Sequence, residues 1–213
     1  MSSLYELKPR FQQFLQPLVP RLQQWGISAN RLTCIAIGLS LLGGGVTLLA
    51  SSQPAWLPLI PAVLVVRMAL NALDGMVARQ LQQATQAGAV LNEVGDVVSD
   101  LALYLPWMAF QPAPWPSQLA VLGFAVLAVL SEFCGVLAQA LVGERRYDGP
   151  MGKSDRALLV GLLALTLFFM PRAVTAIPWV FGVACLLLVQ SCFHRLRVLW
   201  RQPAQTHDMT RNS

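Results

Sequence analysis

Charged residues are scarce in this sequence. Only 12% of its 213 residues are Asp, Glu, Lys or Arg, whereas 55% are hydrophobic, and the mean hydropathy is +0.56. A water-soluble domain usually carries about 25% charged residues. The composition therefore excludes an ordinary soluble protein and predicts a polytopic membrane protein whose core forms against lipid.

Several common sequence signals are also missing. The chain has no repeat, no coiled-coil heptads and no nucleotide P-loop, and its first twenty residues contain no uninterrupted apolar segment. No secretory signal peptide is therefore predicted, and the amino terminus is expected to stay on the mature protein. The cysteines show no CxxC spacing, which indicates neither a disulfide framework nor a zinc site. They lie in apolar segments, at Cys34, Cys134, Cys185 and Cys192.

The basic residues do not form a nucleic-acid-binding face. The net charge is +5, but Lys and Arg lie in the gaps between apolar runs and are not interleaved with aromatic residues. We therefore interpret them as topology signals and expect no nucleic acid as a partner. They concentrate in the amino-terminal segment, the 79–88 turn, the 143–156 loop and the tail. By the positive-inside rule, both termini are expected to face the cytoplasm.

Long apolar runs predict the fold class, an all-α membrane protein. At 1.5 Å per residue, about 20 helical residues cross a hydrocarbon layer of about 30 Å. Six transmembrane helices are predicted, the fifth being the shortest, at about 31–50, 55–78, 88–110, 117–142, 156–171 and 175–198. Ser28 or Asn30 can cap the first helix. Gly43, Gly44 and Gly45 within it suit close helix packing in lipid.

The two ends of the chain are predicted to differ from the spans. Residues 3–24 place apolar side chains at helical spacing, which favours an amphipathic helix in the membrane interface, interrupted at Pro9 and Pro17. A frayed polar tail is the alternative. Residues 202–213 are expected to be flexible, which leaves residues 1–201 as a single membrane domain.

A polar cluster interrupts the second and third spans. Asn71 and Asp74 lie on one face of the second span, and Asn92 and Asp96 on one face of the third. In antiparallel helices these two pairs match in depth below the cytoplasmic surface. Four oxygen-bearing side chains can therefore converge, which suits a hard cation such as Mg²⁺ or Mn²⁺. Charges at this depth are retained where they pair, bind an ion or contact a polar substrate.

The cluster carries a family resemblance. The pattern Asp74-Gly75-x2-Ala78-Arg79-x8-Gly88-x3-Asn92-x3-Asp96 resembles D-x2-D-G-x2-A-R-x8-G-x3-D-x3-D, the signature of the CDP-alcohol phosphotransferase family. Six positions match identically at the correct spacing: Asp74, Gly75, Ala78, Arg79, Gly88 and Asp96. The GISANRLT segment before the first span is also similar to the family's usual I-T-P-N-x-L-T. The resemblance covers most of the chain.

The resemblance implies a bacterial inner-membrane transferase with a cytoplasmic active site. Such an enzyme moves a phosphatidyl or similar group from a CDP-alcohol, usually CDP-diacylglycerol, to an alcohol acceptor and releases CMP. Family members are typically homodimers that use a divalent metal. Carried over, Asp74 and Asp96 would be catalytic, both as metal ligands, with Asp96 also a candidate for the base. Metal ligation would include Asn71 and Asn92, and the CDP pocket would comprise Gly75, Ala78, Arg79 and Gly88.

Two positions depart from the family pattern. Asn71 and Asn92 stand where the signature has aspartates, so two of four carboxylates are absent. Asparagine can offer a carbonyl oxygen to a metal but cannot act as a base. A catalytically silent relative that binds lipid or nucleotide as a partner subunit is therefore an alternative, and a small transporter is a third. Glu93 and Asp100 are nearby carboxylates that might compensate.

Two further groups of charges complete the sequence-based hypothesis. The 144–156 loop contains Gly152-Lys153, which resembles a phosphate-holding element of the family. Lys153, Arg145, Arg146 and Arg156 would together give the cavity mouth a positive field, unless the loop only fixes orientation. Arg67, Asp100 and Glu132 share a depth near mid-membrane, where unpaired charges are costly. We predict that Arg67 pairs with Asp100, Glu132 or both; the alternative makes Asp100 a metal ligand.

Overall fold

The computed structural model describes residues 8–110, 114–143 and 145–201, and within these ranges all regular secondary structure is helical. Three short 3₁₀ helices supplement the α-helices, at Pro54–Trp56, Leu105–Ala109 and Pro171–Ala176. The α-helices, in chain order, are α1 (Lys8–Leu15), α2 (Leu18–Gln24), α3 (Ala29–Ser52), α4 (Leu59–Gln80), α5 (Gln86–Tyr104), α6 (Pro114–Val142), α7 (Lys153–Phe169) and α8 (Ile177–Arg201). The predicted all-α class is confirmed.

Four helical segments of the described residues are long and apolar enough to cross a membrane. They are Ala29–Ser52, Pro54–Gln80, Pro116–Val142 and Pro171–Arg197. Large apolar side chains cover their outer surfaces, and Trp179 and Leu186 are 77% and 72% exposed. Side chains of this kind are stable on a surface only where lipid or protein covers them. The chain is therefore a multi-pass helical membrane protein.

The helix boundaries differ from the predicted spans mainly at proline. Pro54 and Pro171 each begin a 3₁₀ helix, because proline lacks the N–H that a continuing α-helix would need. α5 likewise ends at Tyr104, where Leu105–Ala109 forms a 3₁₀ helix containing a proline. The helix of the fifth predicted span, α7, begins at Lys153, three residues before the predicted start at residue 156. Lys153 therefore lies in the first turn of a helix.

The amino-terminal segment forms two helices that pack on α4. The break lies at Gln16 and Pro17, as predicted, but Pro9 does not interrupt α1, because the first turn of a helix needs no N–H donor. A buried apolar cluster joins this segment to α3 and α4, formed by Leu15, Val19, Leu22, Ala29, Leu32, Leu73, Met76 and Val77. Residues 3–7 of the predicted interfacial helix and the predicted tail 202–213 lie outside the described residues.

Small residues allow α3 to approach its neighbours closely. A Cβ added to Gly43 would lie 2.7 Å from Val63 Cγ1, and one added to Gly44 would collide with the carbonyl oxygen of Ala102. The predicted packing role is confirmed for these two glycines. Gly45 has nothing within 4 Å of an added Cβ. The α3 helix is thus held against both α4 and α5, the helices that carry the polar cluster.

An aromatic cluster fixes the opposite end of the bundle. The Trp107 ring lies 6.0 Å from that of Phe181, and Phe181 in turn lies 5.0 Å from Phe124. All three side chains are fully buried. They join the end of α5 to α6 and α8, and rings packed at these distances contribute beyond their buried area. The polar cluster lies at the opposite end of the bundle, at the end of α4 and the start of α5.

Candidate active site

The polar ends of α4 and α5 border one cavity of about 630 Å³. A cavity of this size lies in the usual range for small-molecule sites. Its wall comes from the start of α3, the end of α4, the start of α5, the α6–α7 loop and the first turn of α7. Every residue that the sequence analysis assigned to the site lines it: Asn71, Asp74, Gly75, Ala78, Arg79, Gly88, Asn92, Asp96 and Lys153.

Asp74 is held by the neighbouring helix α3. Its Oδ2 accepts a hydrogen bond of 2.9 Å from Thr33 Oγ1, and the carboxylate is 6% exposed. The same hydroxyl oxygen lies 3.2 Å from the carbonyl oxygen of Ala29, a longer alternative acceptor for its single proton. The α3 start is itself well defined, because Ser28 accepts from the Arg31 N–H as the helix cap. Asp74 therefore faces the cavity in one orientation.

Asp96 is the second carboxylate of the cavity. Its Oδ1 accepts hydrogen bonds from the Lys153 ammonium and, at 3.4 Å, from Asn71 Nδ2. Arg67 Nη2 lies 3.9 Å from the same oxygen. The contact with Asn71 shows that the depth matching of α4 and α5 was correct for this pair. Lys153 reaches Asp96 because α7 begins at the cavity rim, so an element 57 residues away in sequence completes the group.

Two glycines make room for polar side chains along the wall. A Cβ on Gly88 would lie 2.7 Å from Asn30 Oδ1, and one on Gly75 would lie 3.3 Å from Arg79 Nη1. A side chain at either position would push these groups out of place. The Gly88 N–H donates to Thr85 Oγ1 as part of the α5 cap. Among the described residues, the exposed Arg79 guanidinium has no ion-pair partner, so it is available to an anion.

Buried ion pairs lie beneath this layer, and the predicted pairing of Arg67 with Asp100 is confirmed. Arg67 Nη2 lies 2.8 Å from Asp100 Oδ1, and both side chains are at most 3% exposed. Within the described residues, Glu132 does not pair with Arg67. Arg156 of α7 joins them instead, at 2.8 Å from Asp100 and 2.9 Å from Glu132. We call Arg67, Asp100, Arg156 and Glu132 the ion-pair floor.

The floor corrects two sequence-based expectations. Arg156 was expected to add positive charge to the cavity mouth, but it is fully buried and points to two carboxylates. Asp100 was the alternative metal ligand, but it is 2% exposed and holds two arginines. A carboxylate committed in this way cannot turn to the cavity without leaving both arginines unpaired. Asp100 therefore ties α4, α5 and α7 together.

The 145–152 segment also differs from the expected positive mouth. Arg145 forms ion pairs with Glu93 and, at 3.4 Å, with Glu132. Arg195 of α8 donates to the carbonyl oxygens of Ser131 and Asp148. Arg145 and Arg195 therefore hold the segment against α5, α6 and α8, and both already have partners within the protein. Glu93, the other candidate for metal compensation, is occupied by Arg145.

The oxygen ligands that line the cavity fit one hard cation. Asp74 and Asp96 offer carboxylate oxygens, and Asn71 and Asn92 can offer amide oxygens, which are ligands that Mg²⁺ and Mn²⁺ accept. Over the described parts of the chain, no group of three or more His, Cys, Asp or Glu side chains is placed to hold a metal ion. Two carboxylates with two amides fit one divalent ion better than two, because two ions would bring four positive charges.

Sequence reasoning missed several residues of the cavity. Thr33, Asn30 and Gln83 lie at or near the starts of α3 and α5, and Gln83 Oε1 accepts from the Ala29 N–H at 3.1 Å. Asn30 had a detectable signal, since it belongs to the GISANRLT segment. Arg195 and Tyr147 had none, because both come from distant elements and look like ordinary flank residues in the sequence.

The fold and the cavity define a class of protein, a multi-pass helical membrane protein with a carboxylate-bearing polar site of nucleotide size. The chain belongs to the CDP-alcohol phosphatidyltransferase family, whose model matches residues 26–190. It is an enzyme family that transfers substituted phosphate groups. The family resemblance seen in the sequence is therefore confirmed.

Individual relatives agree with this assignment. The chain is 45% identical over 195 residues to the inner membrane protein YnbA of Escherichia coli, covering 92% of this chain and 95% of that one. Two solved structures of Mycobacterium tuberculosis phosphatidylinositol phosphate synthase share its fold. The complex with manganese and citrate has a TM-score of 0.74 at 23% identity, covering 93% of each chain. The complex with CDP-DAG has a TM-score of 0.73 at 24% identity, covering 94% of this chain and 99% of the other.

Proposed function

We propose that this protein transfers a phosphatidyl group from a CDP-alcohol such as CDP-diacylglycerol to an alcohol acceptor, with release of CMP, in phospholipid biosynthesis. The observation that carries the proposal is the convergence of Asp74, Asp96 and the two glycines of the motif on one cavity. Two helices, α4 and α5, must come together to produce this convergence. The CDP-DAG bound to the mycobacterial structure supports the choice of donor.

The donor would bind along the wall formed by α3, α4 and the start of α5. Gly88 leaves space there beside Asn30 and Gly75 leaves space beside Arg79, while Ala78 adds only a methyl group. Arg79 would pair with the diphosphate, since a planar guanidinium matches phosphate oxygens and this one has no partner among the described residues. The Asn30 amide and the Thr33 hydroxyl are further polar groups on this wall.

Asp74 and Asp96, with Asn71 and Asn92, would hold one divalent ion, Mg²⁺ or Mn²⁺. A bound ion would neutralise the diphosphate oxygens and stabilise the charge of the leaving CMP. Asp96 would accept the proton of the acceptor hydroxyl, whose oxygen forms the new bond to phosphorus as the bond to CMP breaks. Lys153 would then turn from Asp96 to a phosphate oxygen, because its flexible ammonium can follow the negative charge.

The proposed topology has six spans, with α5 and α7 crossing beside the four apolar helical segments. α5 with its 3₁₀ extension covers Gln86–Ala109, and α7 has 17 residues, about 26 Å of helix. The acidic residues of α5 form ion pairs with basic side chains of the protein. We place the protein in the bacterial inner membrane with both termini and the cavity cytoplasmic, α1 and α2 at the interface, and one domain over residues 1–201.

Cysteine accessibility tests the topology. Cysteines introduced at Asp148 and Arg172 of a cysteine-free variant flank α7 and should label only from the cytoplasmic and only from the opposite side, respectively. Labelling of both from one side would contradict the crossing of α7 and therefore six spans. We also propose a homodimer, on the family resemblance, which mass measurement in detergent tests; a monomer at all concentrations would contradict it.

The activity is tested by CMP release from CDP-diacylglycerol. Purified protein in lipid nanodiscs is assayed with Mg²⁺ or Mn²⁺ and a panel of alcohols. Asp74→Asn and Asp96→Asn should each lower kcat/KM by roughly 100-fold or more, since neither amide supplies the lost charge or basicity. Asp148→Asn is the matched control, because this carboxylate is 53% exposed and does not line the cavity.

The silent-subunit alternative makes a different prediction. It expects CDP-diacylglycerol binding without CMP release for every acceptor, and it expects Asp96→Asn to bind as the parent does. Full activity of either aspartate variant, with folding verified, would contradict the assigned roles.

A further inference from the structure

The basic residues on one side of the cavity already pair with carboxylates or backbone carbonyl groups of this chain. We call this part, lined by α6, the α6–α7 loop, α7 and α8, the loop side; it faces the glycine wall where the donor is placed. Its cationic side chains are Arg145, Lys153 and Arg195. Whether these side chains are free to pair with an anionic group decides which acceptors the cavity can bind.

Arg145 lies between two carboxylates. It pairs with Glu93 of α5 and with Glu132 of α6, and it is only 17% exposed. Its guanidinium also lies over the Tyr147 ring, 5.4 Å from the centroid. A phosphate group could use this arginine only by separating it from both glutamates. That exchange would leave Glu93 without its counterion among the described residues and would take one of three arginines from Glu132, which is 12% exposed.

Arg195 is committed to the backbone. It is 1% exposed, donates to the carbonyl oxygens of Ser131 and Asp148, and lies 3.9 Å from Glu132. These contacts hold the α6–α7 loop in place. Moving Arg195 to a ligand would break both hydrogen bonds, of which the one to Ser131 is buried, and would release the loop from α8.

The charges around the cavity balance. Four of its lining residues are acidic, Asp74, Asp96, Glu132 and Asp155, and four are basic, Arg79, Arg145, Lys153 and Arg195. The phosphates of the donor already require Arg79 and, in the proposed reaction, Lys153. No uncommitted cation then remains on the described part of the loop side for a second anion, and a bound anion needs charge-assisted partners to repay its desolvation.

We infer that the acceptor is an uncharged alcohol that carries no phosphate group. The inference rests on the proposed function and adds the substrate class. The carboxylate of Glu132 lines the loop side and can accept hydrogen bonds from hydroxyl groups, while the pre-formed ion pairs keep the side rigid. A phosphorylated alcohol would find no uncommitted cation on the described part of the loop side, which disfavours its phosphate.

Matched acceptor pairs test the inference. The full-length protein, with Mg²⁺ and CDP-diacylglycerol, is assayed with glycerol against glycerol 3-phosphate and with inositol against inositol phosphate. The uncharged member of a productive pair should have a kcat/KM at least ten-fold higher. A preference for the phosphate ester in any pair would overturn the inference.

Binding keeps the inference testable if the proposed function fails. If no alcohol releases CMP, calorimetry with glycerol 3-phosphate and with inorganic phosphate is decisive for the protein holding Mg²⁺ and CDP-diacylglycerol. No saturable binding is expected. Saturable binding of either probe that Arg145→Met abolishes would overturn the inference without any reference to turnover.

Releasing Arg145 from one of its carboxylates should create a binding site for the phosphate group of an acceptor. Glu93 is 31% exposed and, within the described residues, pairs only with Arg145, so Glu93→Gln releases one side of the guanidinium without opening the floor. This variant should bind glycerol 3-phosphate saturably in the same calorimetric measurement, whereas the parent should not. The control Asp148→Asn removes an exposed carboxylate near Arg146 and should gain nothing. No gain in Glu93→Gln, with folding verified, would overturn the reasoning.

Discussion

Replacing Asp100 with asparagine tests the ion-pair floor, because two buried arginines depend on this carboxylate. Arg67 Nη2 and Arg156 Nη2 each lie 2.8 Å from it, and the two arginines are 1% and 0% exposed. In Asp100→Asn, Arg67 keeps only Asp96 at 3.9 Å, and Arg156 keeps Glu132. A buried charge that loses its partner typically costs about 3–5 kcal/mol. We expect a loss of that size in the free energy of unfolding.

Companion variants separate this effect from a general loss of packing. Arg67→Met should cost less, about 1–3 kcal/mol, because Asp100 still holds Arg156. The double variant Arg67→Met/Asp100→Asn should be more stable than Asp100→Asn alone, since no unpaired arginine remains on α4. Asp148→Asn, with its exposed carboxylate, should change stability by less than about 0.5 kcal/mol.

Unfolding by SDS titration in mixed micelles, followed by circular dichroism, measures these differences. The expected order of loss is Asp100→Asn, then Arg67→Met, then Asp148→Asn. If Asp100→Asn were as stable as the Asp148→Asn control, or if Arg67→Met cost more than Asp100→Asn, the floor would not hold α4, α5 and α7 together.

Two further predictions concern the metal and the donor wall. Asn71→Asp combined with Asn92→Asp should tighten Mn²⁺ binding in calorimetry, since each adds a negative ligand beside Asp96; unchanged or weaker binding would mean that these side chains do not face the ion. Gly88→Ala should weaken CDP-diacylglycerol binding, because its Cβ would lie 2.7 Å from an asparagine oxygen and would displace that side chain from the donor wall. The matched change Gly45→Ala has open space and should be tolerated, and equal behaviour of the two variants would refute the steric argument.

The sequence was sufficient for the local parts of the site. Apolar runs located the six long helices, and the motif selected residues that all line one cavity. Matching depths at a fixed rise per residue predicted that Asn71 meets Asp96 and that Arg67 meets Asp100. These succeed because α4 and α5 are joined by a short turn and both pack on α3, so their relative position is nearly determined by the chain.

Partners from distant elements were not predictable in the same way. Arg156 follows a basic loop and looks like another surface charge, yet α7 begins earlier than expected and carries it inward to Asp100 and Glu132. Arg145 likewise gives no sign in sequence that it lies between Glu93 and Glu132. Both pairings depend on how α5, α6 and α7 pack, which periodicity does not encode. These ion pairs neutralise the positive charge that was expected at the cavity mouth.

The central claim is that this chain transfers a phosphatidyl group, and product stoichiometry tests it most directly. Purified protein is incubated with CDP-diacylglycerol, Mg²⁺ and a productive alcohol, and both CMP and the new phospholipid are quantified by mass spectrometry from the same reaction. The account predicts equal amounts of the two products and neither product with Asp96→Asn. CMP without a new phospholipid would indicate hydrolysis, and CDP-diacylglycerol binding without either product for every alcohol would contradict the enzyme.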